Sequence, residues 1–150
     1  MTQRKAIVKA ARGWLGTPYH HQASLMGVGS DCLGLIRGIW RELYGPEPEA
    51  MPPYTQDWGS ATGSEMLIEA ACRHLVKLAD VSGAEPGDVL VFRMRDCGVA
   101  KHAGVISALP ASGPFERGRA RLIHAQEGLG VVEINLGVLC RQAGQGQIDP

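Results

Sequence analysis

Charge of one sign is what this chain most clearly lacks. Fifteen Lys and Arg stand against fifteen Asp and Glu, for a formal net charge of zero, so no global field draws it to nucleic acid or anionic lipid. Long hydrophobic runs are missing as well. No stretch approaches the roughly 20 apolar residues of a membrane span, and none is expected to insert. Arg4, Lys5 and Lys9 break up the first fifteen residues, so no signal peptide is expected and synthesis in the cytoplasm follows. Cysteine is scarce and scattered. Cys32, Cys72, Cys97 and Cys140 contain no CxxC pair, which excludes a dense disulfide framework and makes reduced thiols the default. A zinc set of Cys72, His74, Cys97 and His102 would follow no common ligand spacing, so neither a metal nor another cofactor is expected. There are no internal repeats, and 150 residues suit one domain spanning 1–150. Arg117, Arg119 and Arg121 form a basic cluster that reads as a solvated turn or, less commonly, as a surface for an acidic partner.

The order of elements is legible from the patterning. Thr2 can cap a first helix carrying Ile7, Ala11 and Trp14 on one face, with Gly16-Thr17-Pro18 ending it. Tyr19 to Gly29 reads as a loop. A second helix starts at Ser30-Asp31-Cys32, buries Leu35, Ile36, Ile39, Trp40 and Leu43, and stops at Gly45-Pro46. Pro46, Pro48, Pro52 and Pro53 make the stretch to Gly63 an irregular excursion that could wall a cleft. Thr62 and Glu65 have capping-box spacing for a third helix with Leu67, Ala71, Leu75 and Leu78 on its apolar face. Past Pro86-Gly87 the period becomes extended, with strands expected over Asp88 to Arg93, His102 to Ser107, Arg121 to Ala125 and Val131 to Asn135. Helices followed by strands predict an α+β domain, its N-terminal helices packed on an antiparallel sheet. The last ten residues, 141–150, are rich in Gln and Gly and read as a loosely held tail.

Chemistry concentrates where the second helix begins. A thiol at a helix N-terminus sits among unpaired N–H groups and the positive end of the dipole, both of which favour thiolate. Cys32 followed far downstream by His102 and His124 is the chain order of a papain-like hydrolase. Taken singly, each has a plainer reading. Free Cys is among the most buried residue types, and a strand His is commonly a packing residue. Asp31 can cap the helix, yet its charge opposes thiolate formation. His20 and His21 lie in the loop before the thiol, within reach of a substrate or of solvent. His74 reads as surface, Trp14 and Trp40 as core, and Trp58 as lining the cleft or pinning the loop. Cys72, Cys97 and Cys140 read as structural.

Four blocks in order, Gly16-Thr17-Pro18-Tyr19, Asp31-Cys32-Leu33-Gly34-Leu35, Glu85-Pro86-Gly87-Asp88-Val89-Leu90-Val91-Phe92, and His102-Ala103-Gly104-Val105-Ile106 with Ile123-His124-Ala125, span nearly the whole chain. Together they resemble the NlpC/P60 family of papain-like cell-wall cysteine peptidases, and within it the small subgroup of phage and gene-transfer-agent peptidases encoded with tail components. The resemblance implies Cys32 as nucleophile, His102 as general base and His124 as the third polar residue that orients it. It places Tyr19, and Asp31 beside the nucleophile, at the oxyanion and substrate side. It implies peptidoglycan stem peptide as substrate, usually at the bond between D-glutamate and a diamino acid, and phage-like tail or hub proteins as partners, with assembly into a particle tail and delivery to a target cell wall. Leu33 departs from the family's usual Ser, which removes a hydroxyl from the pocket's edge. Two other readings remain open: a catalytically silent tail-hub subunit, and a thiol amidase or acyltransferase of the same fold.

Overall fold

In a computed structural model the described residues are 1–56, 65–93, 99–111, 113, 115, 116, 118–137, 148 and 149. Helix α1 (Gln3–Gly13) is capped by Thr2, whose Oγ1 accepts from Lys5 N. A two-residue hairpin follows, β1 (Ser24–Leu25) against β2 (Gly29–Ser30), where the sequence reads as loop. Helix α2 (Cys32–Tyr44) and helix α3 (Met66–His74) precede strands β3 (Val89–Arg93), β4 (Ala100–Ala108), β5 (Arg121–Gln126) and β6 (Gly130–Asn135). A short β7 (Ile148–Asp149) returns to β3. The five strands form one antiparallel sheet in the order β6-β5-β4-β3-β7. The four long strands match their sequence expectation, and the tail is held at 148 and 149, where it pairs with the β3 edge.

Strand alternation divides the sheet's two faces. Val105, Ile123, Ala125 and Val131 meet Ala11 of α1, Trp14 at its C-cap, and Leu35 and Ile39 of α2 in one cluster. Leu90, Phe92, Ile106, Leu122 and Leu136 form a second cluster. Two glycines of α2 permit close packing. A Cβ at Gly38 would fall 1.9 Å from the Trp14 ring, so the bare helix surface is what seats the indole. At Gly34 it would fall 1.8 Å from the Ala23 carbonyl oxygen, which locks the loop before the thiol onto the thiol's helix.

Several sequence expectations give way to tertiary contacts. Helix α3 stops at His74, short of Leu75 and Leu78, because Leu78 is drawn away to pack with Val81 against the second cluster. Glu65 stands at the α3 N-cap with no side-chain cap bond. Its carboxylate instead accepts from Ala100 N at 3.1 Å and pairs with Arg93, tying α3 to β3 and β4. Thr62 and Trp58 lie outside the described residues, as do Cys97, Cys140 and Arg117. Trp40 is only half-buried and donates to the Pro46 carbonyl at 3.2 Å. Cys72 is exposed and has no structural burial. His74 is half-buried, its Nε2 2.9 Å from Glu49 Oε1. Among the described residues no helix is long and apolar enough to cross a membrane, and no group of three or more His, Cys, Asp or Glu is placed to hold a metal ion.

Candidate active site

Cys32 is the first residue of α2, with Asp31 as its N-cap. The Asp31 carboxylate is 2% exposed and accepts from Gly34 N and from Gln22 N, each at 2.7 Å, and from the Tyr54 hydroxyl. Donors on both oxygens make it a cap and anchor turned into the protein. The sulfur lies against β4, 4.0 Å from the Lys101 carbonyl oxygen. Ile106 exchanges its N–H and C=O with the β3 side, bonding Asp88 O and Gly87 N. Two-residue alternation therefore turns the backbone groups of Ala103 away from β3. Pairing of β4 with β5 starts only at Val105 and Ile123, and beside the unpaired stretch before it the α2 N-terminus brings the thiol. The N–H groups of Cys32, Leu33 and Ala103 all act on the sulfur.

His102, the candidate base, lies on the same stretch of β4. Phe92 pairs with His102 and Arg93 with Ala100, so Lys101 is an extra residue, a bulge just before the histidine. Bulges of this kind re-aim neighbouring side chains. His102 Nε2 lies 2.7 Å from His124 Nδ1, their rings perpendicular at 5.0 Å between centroids, and Phe92 flanks His102 at 5.9 Å. His124 is fully buried, and its Nε2 has no hydrogen-bond partner among the described residues. For His102 to take a thiol proton at Nδ1, its Nε2 must carry hydrogen and donate to His124 Nδ1, which fixes His124 as the Nε2–H tautomer.

Electrostatics correct one sequence expectation. The helix N-terminus does lower the Cys32 pKa through local N–H groups, but burial first and the Asp31 charge second outweigh it and push the thiol up to about 12. Burial, with repulsion from His124, lowers His102 to about 3; burial lowers His124 to about 4. Thiol and imidazole are thus both neutral at rest, not a thiolate–imidazolium pair. Tyr19 bridges to Ser30 beside the cap, and burial above all pushes its hydroxyl up to about 12, which keeps it a donor at neutral pH.

The structure thus sets Cys32, with Asp31 and Tyr19 beside it, against the β4 backbone on either side of His102, and pairs His102 with His124. Tyr54 belongs there too and escapes the sequence reading, since its neighbours Pro52 and Pro53 mark only a loop. Leu33 packs with Tyr54, Leu67, Val99 and Ala103. His20 is exposed, whereas His21 is half-buried, its Nε2 2.8 Å from the Tyr54 carbonyl oxygen. A cavity of about 530 Å³ between the helices and β3, lined by Ile7, Ile39, Leu75 and Val89 among others, includes none of the site residues.

No protein-family model matches the chain, and no curated protein matches it in sequence. Solved structures do. The NlpC/p60 domain of peptidoglycan hydrolase SagA is similar at a TM-score of 0.56 and 22% identity, covering 98% of this chain and 97% of that one. NlpC1 from Trichomonas vaginalis is similar at 0.55 and 18%, covering 91% of this chain and 41% of that one. The chain has the papain-like α+β fold of NlpC/P60 domains.

Proposed function

We propose that this chain is a cysteine peptidase that hydrolyses a peptide-stem bond of bacterial peptidoglycan. The observation that carries the reading is Cys32 at the α2 N-terminus, set against the strand that holds His102, with His102 Nε2 bonded to His124 Nδ1 at 2.7 Å. Because the resting pair is neutral, proton transfer accompanies attack. As the sulfur bonds to the scissile carbonyl carbon, its proton passes to His102 Nδ1, and the carbonyl oxygen takes the negative charge. The Cys32 N–H, with the Tyr19 hydroxyl, meets that oxyanion. The carbon–nitrogen bond then breaks and His102 returns the proton to the leaving amine, leaving a thioester. Water attacks the thioester, His102 takes one of the water's protons, and the departing sulfur recovers it as the carboxylic acid product leaves and gives its own proton to solvent.

The substrate assignment draws on the fold shared with the domain of peptidoglycan hydrolase SagA and on the motif blocks. The bond between D-glutamate and a diamino acid is the one we assign. Delivery to the wall as a tail-associated component of a phage or gene-transfer-agent particle rests on the likeness of those blocks to the tail-encoded subgroup. Purified protein mixed with peptidoglycan should release new amino groups, and Cys32→Ala should release none; activity surviving that substitution removes the mechanism. Product masses from defined muropeptides separate endopeptidase from amidase or acyltransferase. One observation favours a second reading, a silent tail-hub subunit: the neutral, buried thiol. Hydrolysis that depends on Cys32 excludes it.

A further inference from the structure

We propose that Tyr54 is a positioning residue for Cys32, a strap whose hydroxyl holds the Asp31 carboxylate, fastens the proline-rich loop across the mouth of α2 and draws part of that carboxylate's charge away from the sulfur. This rests on reading Cys32 as the nucleophile. Tyr54 is 6% exposed, whereas Pro52, Pro53, Thr55 and Gln56 on either side of it are exposed. Its ring packs with Leu67, Val99, Leu33 and Ala103, the residue after His102. Its hydroxyl donates to Asp31 Oδ2. Its carbonyl oxygen is clasped by Gln22 Nε2 and by His21 Nε2, and the His21 ring stands edge-on to the Tyr54 ring at 5.2 Å and 87°. Gln22 is the one non-glycine with positive φ among the described residues, at 63°, and its N–H also goes to Asp31 Oδ2. A conformation of that kind persists where its surroundings over-determine it. One side chain thus joins the loop before the nucleophile, the nucleophile's cap and the strand of the base.

The charges around the sulfur define what the strap does. Asp31 precedes it on the α2 mouth; Tyr19 and His21 face it or its cap from the preceding loop, His21 Nδ1 lying 3.8 Å from Asp31 Oδ2. Arg37 on α2 acts on Asp31 and Tyr54, Glu127 acts on Tyr19, and His102 stands on β4. Of these, Asp31 is the charge that acts against the thiolate. A hydroxyl proton directed at its Oδ2 offsets some of that charge, and removing the hydroxyl returns it.

The test follows Cys32 alkylation by iodoacetamide against pH, resolved from the other cysteines by peptide mass spectrometry, in wild type, Tyr54→Phe, Asp31→Asn and the double variant. The strap predicts that Tyr54→Phe moves the Cys32 profile about one pH unit alkaline, an about tenfold slower reaction on its rising limb. Asp31→Asn, which keeps an N-cap side chain, should move it acidic, and Tyr54→Phe should add no shift in that background. An unshifted profile in Tyr54→Phe, or uniformly faster labelling with or without the Asp31 charge, overturns the strap. If Tyr54→Phe fails to fold, Asp31→Asn decides alone: an unmoved profile overturns the proposal. Alkylation needs no turnover, so failure to cut peptidoglycan sinks the peptidase reading alone, and Cys32-dependent cutting with unshifted profiles sinks the strap alone.

Discussion

Two histidines held neutral inside the fold make its stability depend on pH in a defined window. An unfolded imidazole takes up a proton below about 6.5, whereas the folded chain resists until about 4 at His124 and about 3 at His102. Stability conferred by these depressed values is fully present above about pH 6.5 and is lost as pH falls toward them. His124 is fully buried and stays neutral down to about pH 4, which is worth about 3 kcal/mol, lost at up to about 1.4 kcal/mol per pH unit. His102 is half-buried, and solvent screening makes its share smaller than its shift alone implies. Against a total of roughly 5–15 kcal/mol for a domain, the loss is large enough to measure. Glu47, lowered on balance by Arg37 and Arg41, and Glu133, lowered on balance by Ser107 and then Arg12, take up protons only below the ordinary carboxylate range and so act at more acidic pH. Urea unfolding between pH 7 and 4.5 should show stability falling with acidification, at a slope between one and two protons. His124→Gln should remove about one proton from that slope. Stability flat from pH 7 to 5, or an unchanged slope in the variant, would refute the buried neutral pair.

Other outcomes follow from packing and access. A Cβ at Gly104 would fall 2.9 Å from Ile123 O and from the Leu122 side chain, so Gly104→Ala should part β4 from β5 beside the histidine pair and lower kcat about a hundredfold, read by amino-group release. Gly34→Ala drives a methyl against the Ala23 carbonyl; overpacking of roughly 3 kcal/mol should lower Tm by about 6–12 °C in a thermal melt. In the unliganded protein the exposed Cys72 should alkylate at neutral pH before the buried Cys32, as peptide mapping of a short iodoacetamide pulse will show.

What was legible in the sequence was local. Thr2 and Asp31 cap the helices they precede, and period-two runs locate β3 to β6, because caps and alternation act over a few residues. The favourable effect of a helix N-terminus on Cys32 was equally local and is present. The larger, opposing effect is burial against β4, set by a residue about 70 positions away, and no reading of Ser30-Asp31-Cys32 could supply its sign. Tyr54 escaped for the same reason: its partner Asp31 lies 23 residues upstream, and a tyrosine in a proline-rich stretch has no periodicity to mark it. The Lys101 bulge and the early end of α3 likewise express contacts between elements. His102 and His124 were placed by their motif blocks, and their pairing became visible only when the sheet registered β4 against β5.

Catalysis by this route passes through a covalent bond to one sulfur. Acid quenching during peptidoglycan turnover, followed by mass analysis of the peptide containing Cys32, should find an acyl fragment on that cysteine that hydroxylamine removes, and none in Cys32→Ala. Turnover with Cys32 unmodified, or turnover in Cys32→Ala, would contradict the account.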